Sequence, residues 1–504
     1  MSIHRKIHAS DSKDCLAGTE SQSVDRPCLV AALGLLVPLV LLLRYPLAQI
    51  NNPASLDYNE GWNAYRQLAA AAGSPLYGAH PALTVTNYPP LSFHLIGLFH
   101  RLGFDVTLAG RTVALCSTSV LPVLAFLTGR TLLLSRPASC LAGLLFLTFL
   151  TMLAPERVVA NDPQMAALAL SAGAALAYLR VQSHQTSRRT GWLIGSAVLF
   201  VLSEFTKHNL VGLPLAVGLH QLLGRRWREL ILWCSVMALT SVPLLVATSL
   251  IDGPFFLEHM LRPRAMRYVG GSLITLRYLF AMAVPLVVGS LWAKLQPVVS
   301  GRGLVPLALV LCHLVSLLFV MGDGVSTNIF FDSLYVACLA AAAGAAELRI
   351  PHMLRPNVVM LVLLPVVVLT KGTLAVDASH ARAQAALAQP LQQMRAMVRN
   401  ARGAVLCEDL LLCFDAGQPD AYDAYYVRDQ EMAGALDPRV TVARLQRRAF
   451  ALVELGAPGD QDQHSMPLGS RFGRPFMQAL MHNYHRVLSS GGYVILEPDL
   501  GDPG

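Results

Sequence analysis

The sequence predicts a mainly α, polytopic membrane protein. Three observations carry this prediction: a series of long apolar stretches, the placement of cations between them, and a polar tail. About eleven apolar stretches lie between residues 29 and 372. Each is close to the ~20 residues that take a helix across a ~30 Å hydrocarbon core. Of the 504 residues 54% are hydrophobic and only 14% charged, with a mean hydropathy of +0.49, more apolar sequence than a soluble domain needs. Backbone amides find no water in the hydrocarbon, so helices that satisfy them internally are the expected form.

The expected spans are 29–44, 106–129, 137–155, 164–180, 190–204, 209–223, 229–250, 272–293, 303–321, 330–347 and 357–372. An N-terminal tail, 1–28, carries Arg5, Lys6, Lys13 and Arg26. With that tail in the cytoplasm, the cytoplasmic gaps hold Arg130 and Arg136; Arg180, Arg188 and Arg189; Arg225, Arg226 and Arg228; Lys294 and Arg302; Arg349 and Arg355. Every such gap has at least two cations, as the positive-inside rule requires, and the reverse orientation would break it. The first stretch lacks a small-residue cleavage site after it and reads as a retained signal anchor. An odd number of spans then leaves the tail outside. The chain divides into the cytoplasmic tail 1–28, a transmembrane domain 29–372 with a large first external loop at 45–105, and an extracytoplasmic α/β domain at 373–504. The net charge of +8 comes largely from the cytoplasmic gaps and gives no support for nucleic-acid binding.

Within the tail, 404–408, 449–455 and 492–496 are β-like and 474–488 is helical by pattern. Loops rich in Gly, Pro, Asp and Gln punctuate it at 417–419 and 456–463. It contains no phosphate loop, nucleotide fingerprint or hydrolase elbow. Of the nine cysteines, Cys116, Cys140, Cys234, Cys312 and Cys338 fall in spans and are small apolar fillers. Cys407 and Cys413 form a disulfide if their compartment is oxidising, or stay free if it is not. No Cys-x-x-Cys metal spacing is present.

Charged groups beside the membrane are costly and therefore informative. The first external loop carries Asp57 and Glu60 in Leu56-Asp57-Tyr58-Asn59-Glu60-Gly61, and a short loop on the same side carries Asp162 before Pro163. A base that deprotonates a hydroxyl, with a second acid to orient it, needs such a pair. Asp162 equally suits a helix cap, since Asp before Pro is a favoured helix entry. Lys207 and His208 interrupt an apolar stretch, and Arg262, Arg264 and Arg267 break the charge rule on the external side. Guanidinium groups bind phosphate bidentately, so this cluster suits an anionic lipid headgroup, or plain headgroup anchoring. Tyr88 and Tyr268 are placed to line a substrate pocket. The double proline in Asn87-Tyr88-Pro89-Pro90-Leu91 stops any helix entering it, and the following 91–102 suits a helix lying in the interface.

A signal anchor, an acidic first external loop, a Tyr-Pro-Pro-Leu juxtamembrane helix, an external Asp after the third span and a Lys after the fifth occur here in that order. This ordered set resembles the GT-C class of membrane glycosyltransferases, specifically bacterial relatives of protein O-mannosyltransferases and aminoarabinose transferases. The resemblance covers the spans and reaches into the tail at Gly403-Ala404-Val405-Leu406-Cys407-Glu408-Asp409 and Ala479-Leu480-Met481-His482-Asn483-Tyr484. It implies about eleven transmembrane helices of GT-C type and a hexosyl- or pentosyltransferase of the bacterial inner membrane. The implied reaction is inverting transfer from a polyprenyl-phosphate-linked sugar to a hydroxyl of a lipid, glycan or protein. A first-loop acid would take the proton, Asp57 or Glu60 depending on alignment, because Asn59-Glu60 stands where many relatives have Asp-Glu. Lys207, His208 and the three arginines would neutralise the leaving phosphate. No cofactor is required. Relatives with a metal near the Pro-Pro turn use an acid where this chain has Tyr88, so a divalent metal is unsupported.

Three other functions compete, one of them a non-enzymatic structural assembly factor whose tail recruits partners. An O-antigen ligase or polymerase type normally has its large external loop late in the chain, whereas here it comes first. A transporter or flippase predicts broken helices at mid-membrane and an internal repeat, and neither is visible.

Overall fold

A computed structural model describes residues 11–79, 83–182, 188–262, 264–348, 355–456, 471–490 and 492–499. Arg5, Lys6, Arg349 and the loop beyond Gly456 lie outside the described residues.

Each expected span falls on a helix. These are α1 (Asp11–Ala48), α4 (Val106–Thr131), α5 (Arg136–Leu153), α6 (Gln164–Gln182), α7 (Arg189–Thr206), α8 (Gly212–Leu223), α9 (Trp227–Ile251), α11 (Tyr268–Ala293), α12 (Leu304–Phe319), α13 (Phe331–Glu347) and α14 (Arg355–Asn400). Shorter helices α2 (Asn59–Ala72), α3 (Leu91–Arg101) and α10 (Phe256–Leu261) lie between them. Among the described residues, eight segments are long and apolar enough to cross a membrane. Helix α8, with 12 residues, is apolar but only ~18 Å long at 1.5 Å per residue. Helix α14 runs 46 residues without a break, so the stretch 357–372 is the start of a longer rod that continues past the membrane.

Caps set the helix entries. The Asp105 carboxylate accepts from the Leu108 N–H (2.8 Å), and Asp162 accepts from the Gln164 N–H (2.8 Å), the cap its place before Pro163 predicts. Helix α13 is buried almost throughout; a Cβ on its Gly344 would sit 2.8 Å from the Val288 carbonyl oxygen, so small residues let α11 and α13 approach closely. Helix α9 instead turns Leu239 and Leu250 outward, 74% and 80% exposed, as a lipid-facing helix does.

The two ends of the bundle differ as the charge pattern predicts. At one end the basic gaps meet: Arg302 donates to the Leu132 carbonyl (2.9 Å) and pairs with Glu347 (2.7 Å), and Arg226 donates to the Val299 carbonyl (2.9 Å). The acidic loops gather at the other end.

The C-terminal domain holds strands β1 (Ala404–Cys407), β2 (Phe450–Leu455), β3 (Tyr484–Ser490) and β4 (Tyr493–Pro498), with helices α15 (Leu410–Asp415), α16 (Ala424–Met432), α17 (Pro438–Gln446) and α18 (Arg474–Asn483). Sheet order is β1-β2-β4-β3; β1 and β2 are parallel and the other pairs antiparallel. The end of α14, through Leu391, Met394 and Val398, covers the face bearing Val405 and Ile495. Val427, Leu445 and Phe476 of α16, α17 and α18 cover the face bearing Leu406 and Val453. The helix expected over 474–488 stops at Asn483. Tyr484 turns extended (φ −137°, ψ 140°), and the chain pairs with β4 around Gly492 (φ 88°). Cross-strand pairing overrides the apparent helical period there. Cys407 and Cys413 are disulfide-bonded, with Cα atoms 6.0 Å apart.

Candidate active site at the acidic end of the bundle

The loop between α1 and α2 is shaped by one buried arginine. Arg111, inside α4, donates to both Glu60 carboxylate oxygens (2.9 and 2.6 Å) and to the Ala54 carbonyl (3.0 Å). Glu60 also accepts from the backbone N–H groups of Leu56 and Asn161, each at 2.8 Å. With four donors and no exposure, Glu60 is committed to holding the loop. Arg111 was not among the expected site residues. Its signal was an arginine in an otherwise apolar span.

Asp57 accepts from the Asn59 N–H (2.8 Å) and pairs with Arg157 in the 3-10 turn Pro155–Val158. Arg157 also reaches Asp162 (3.3 Å) and donates to the Ser326 hydroxyl (3.1 Å). Behind it the Lys207 ammonium pairs with Asp162 at 2.7 Å and lies 4.4 Å from the centre of the Tyr88 ring. The Tyr88 hydroxyl donates to Asp162 (3.4 Å). Five segments distant in sequence thus converge on one charged cluster. Arg157 is the residue that joins the two expected acids, and sequence reading did not single it out.

The environment sets these charges. Burial alone would raise the Asp162 pKa, but Lys207, Arg157 and the hydrogen bonds from Lys207 and the Gln164 N–H overcome it and hold the carboxyl below its usual value. Burial pushes the Lys207 ammonium below its ordinary range, opposed by Asp162. Burial, then Asp162, raises Tyr88, which stays a neutral hydroxyl. Burial together with Arg264, Lys207 and Arg262 pushes His208 down to about 4, so at neutral pH it is an uncharged imidazole.

An open cavity lies in front of this cluster, lined by Asp57, Tyr88, Arg157, Arg262 and Arg264. The C-terminal domain closes its far side with Asp423, Tyr425, Tyr426 and Asp429. Asp162 and Lys207 sit one side chain back from the lining. Arg262 donates to the Asn87 side-chain oxygen (2.6 Å), pairs with Asp429 (3.3 Å) and stacks on Tyr426 (4.8 Å). Arg264 lines the cavity with neither hydrogen bond nor ion pair among the described residues. Arg267 and Tyr268 are not brought to the cavity: the Arg267 N–H donates to the Met321 carbonyl (2.6 Å), and both side chains are exposed. Among the described residues no group of three or more His, Cys, Asp or Glu side chains is placed to hold a metal ion.

This architecture, with the acidic loops joined by Arg262 and Arg264 at one end of a many-helix bundle, is the GT-C glycosyltransferase fold. The apo form of ArnT from Cupriavidus metallidurans superposes with a TM-score of 0.63 at 15% identity, covering 92% of this chain and 98% of that one. ArnT bound to undecaprenyl phosphate superposes at 0.62 and 13% identity over the same shares. The Archaeoglobus fulgidus oligosaccharyltransferase in complex with Zn and sulfate superposes at 0.51 and 11% identity, over 83% of this chain and 67% of that one. No family model matches the sequence, and no curated protein matches it.

Proposed function

We propose that the protein transfers a sugar from a polyprenyl-phosphate donor to an acceptor hydroxyl at the extracytoplasmic face of the bacterial inner membrane, with inversion and with Asp57 as base. The observation that carries this reading is one cavity holding a carboxylate, Asp57, and an arginine with no partner among the described residues, Arg264, at the membrane end where the cations of the cytoplasmic gaps are absent. An ArnT structure that holds undecaprenyl phosphate and shares the fold supports a lipid-linked donor.

In this reading the acceptor hydroxyl gives its proton to the Asp57 carboxylate as its oxygen bonds to the anomeric carbon. The bond from that carbon to the phosphate oxygen breaks, and the electron pair leaves with the lipid phosphate. Arg264 compensates the new charge, with Lys207 a layer behind. Cations placed beside developing negative charge stabilise it. Arg157 pairs with the Asp57 carboxylate and aims it, and Asp162 holds Arg157 and Lys207 in register. His208, being neutral, acts as a hydrogen-bond donor or spacer. Glu60 shapes the loop. With the disulfide, the external placement of the C-terminal domain is chemically consistent, since such bonds persist in oxidising compartments.

Mass spectrometry of lipid co-purifying with the full chain tests the donor directly. A polyprenyl-phosphate sugar is expected, and its loss in Arg264→Ala but retention in Arg267→Ala. Equal retention in both variants would remove the phosphate from Arg264.

A further inference from the structure

We infer that the C-terminal domain is part of the site, and that Asp409 and Asp423 are positioning residues that grip the chain on either side of Asp57. This rests on the reading of Asp57 as base. Two residues before Asp57, the Ser55 hydroxyl donates to the Asp409 carboxylate at 2.5 Å. Immediately after it, the Tyr58 hydroxyl donates to Asp423 at 3.0 Å and accepts from the Tyr425 N–H at 3.3 Å. All of Ser55, Asp57, Asp409 and Asp423 are buried, so both bonds form where water cannot substitute for them.

The two acceptors are themselves fixed. Asp409 accepts from the Tyr493 hydroxyl of β4 (2.9 Å) and from the Leu411 N–H (3.0 Å), and its own N–H donates to Glu454 of β2 (2.9 Å). Asp423 accepts from the Tyr426 N–H (3.0 Å) at the start of α16. Between these anchors the domain touches α2 itself: a Cβ on Gly61 would lie 2.1 Å from the Leu411 nitrogen, inside the disulfide-closed stretch. The same helix α16 holds the phosphate side of the cavity, because Asp429 accepts from the Ala265 N–H (2.8 Å) and pairs with Arg262. One external element therefore fixes both the base and the arginine loop, and sets the distance between them. A misplacement of ~1 Å at such a site costs on the order of 10²-fold in rate.

The test uses the full chain with Ser55→Ala, Tyr58→Phe, the two combined, Asp423→Asn and Asp423→Ala. For the double variant the expected result is a kcat lower by about 10- to 100-fold with donor KM within about twofold. Asp423→Asn keeps an oxygen acceptor for Tyr58 and retains most activity, whereas Asp423→Ala does not. Hydrogen exchange gives a second readout: amides of residues 55–60 exchange at least about tenfold faster in the double variant while α5 and α13 are unchanged, the loss expected when hydrogen bonds of ~1 kcal/mol each disappear. An unchanged kcat with an active wild type, or exchange that rises uniformly across the bundle, overturns the proposal. A wild type that moves no sugar from polyprenyl phosphate removes the catalytic reading, and local exchange at 55–60 then decides the positioning role alone.

Discussion

Asp57 and Glu60 lie three positions apart and look interchangeable in sequence, yet their surroundings give them opposite roles. Asp57 faces the cavity beside Arg157, while Glu60 is closed off by Arg111 and two backbone amides. Asp57→Asn is expected to lower turnover by about 10²–10⁴-fold and, because Asp162 still pairs with Arg157, to cost less stability than Glu60→Ala. Glu60→Ala leaves the Arg111 guanidinium buried and unpaired, at a cost of about 3–5 kcal/mol, and is expected to show first as lost thermal stability. Melting curves of the two purified variants beside their turnover separate the roles. At His208 the sign of the pH dependence follows from the environment. Its folded-state value of about 4 lies below the 6.5 of an unperturbed imidazole, so the unfolded chain binds the extra proton. That contribution to stability is present above pH 6.5 and is lost as pH falls toward 4. His208→Gln is expected to flatten the melting temperature between pH 7 and 5, and an undiminished slope in that variant would assign the effect to other groups.

At the scale of elements, close packing of α4 against the loop after α5 helps fix the site. Helix α4 passes the loop after α5 so tightly that a Cβ on Gly110 would fall 1.8 Å from the Asn161 side-chain oxygen. Asn161 has no slack to move, since its side chain exchanges hydrogen bonds with Gln67 at 2.7 and 2.8 Å. Gly110→Ala therefore forces α4 away from the loop carrying Asp162. Overpacking of this kind costs about 1–3 kcal/mol, and activity is expected to fall with stability. A matched Ala at Gly195, where nothing lies within 4 Å, is expected to be silent in both assays.

For the whole molecule, the alternation of cations was the most legible feature of the sequence. It placed every span on a helix and separated the basic end from the acidic one, because both follow from the cost of charge in hydrocarbon. Asp57, Asp162 and Lys207 were legible as candidates for the same reason, and Tyr88 from the double proline that follows it. The roles of Arg111 and Arg157 were not, because an arginine's partner is chosen by packing between segments remote in the chain. Nor was the contribution of α16, whose Asp423, Tyr425 and Asp429 look like ordinary residues of a polar domain until the sheet brings them over the cavity. Orientation has its own test. Single cysteines at Asn51 and Ser379 are expected to react with an impermeant thiol reagent in intact cells, and one at Arg188 only after lysis, in a background lacking exposed native thiols.

The unbroken rod of α14 runs from the helix bundle to the C-terminal sheet. Rotation along a helix is locked to length, so each added residue turns everything beyond it by ~100° and advances it by 1.5 Å. One alanine inserted near Val376 is expected to swing the C-terminal domain out of phase and abolish the proposed sugar transfer, whereas seven would nearly restore the heading yet lift it ~10 Å clear of its docking face. The helix bundle and the C-terminal domain are thus geared together by one helix.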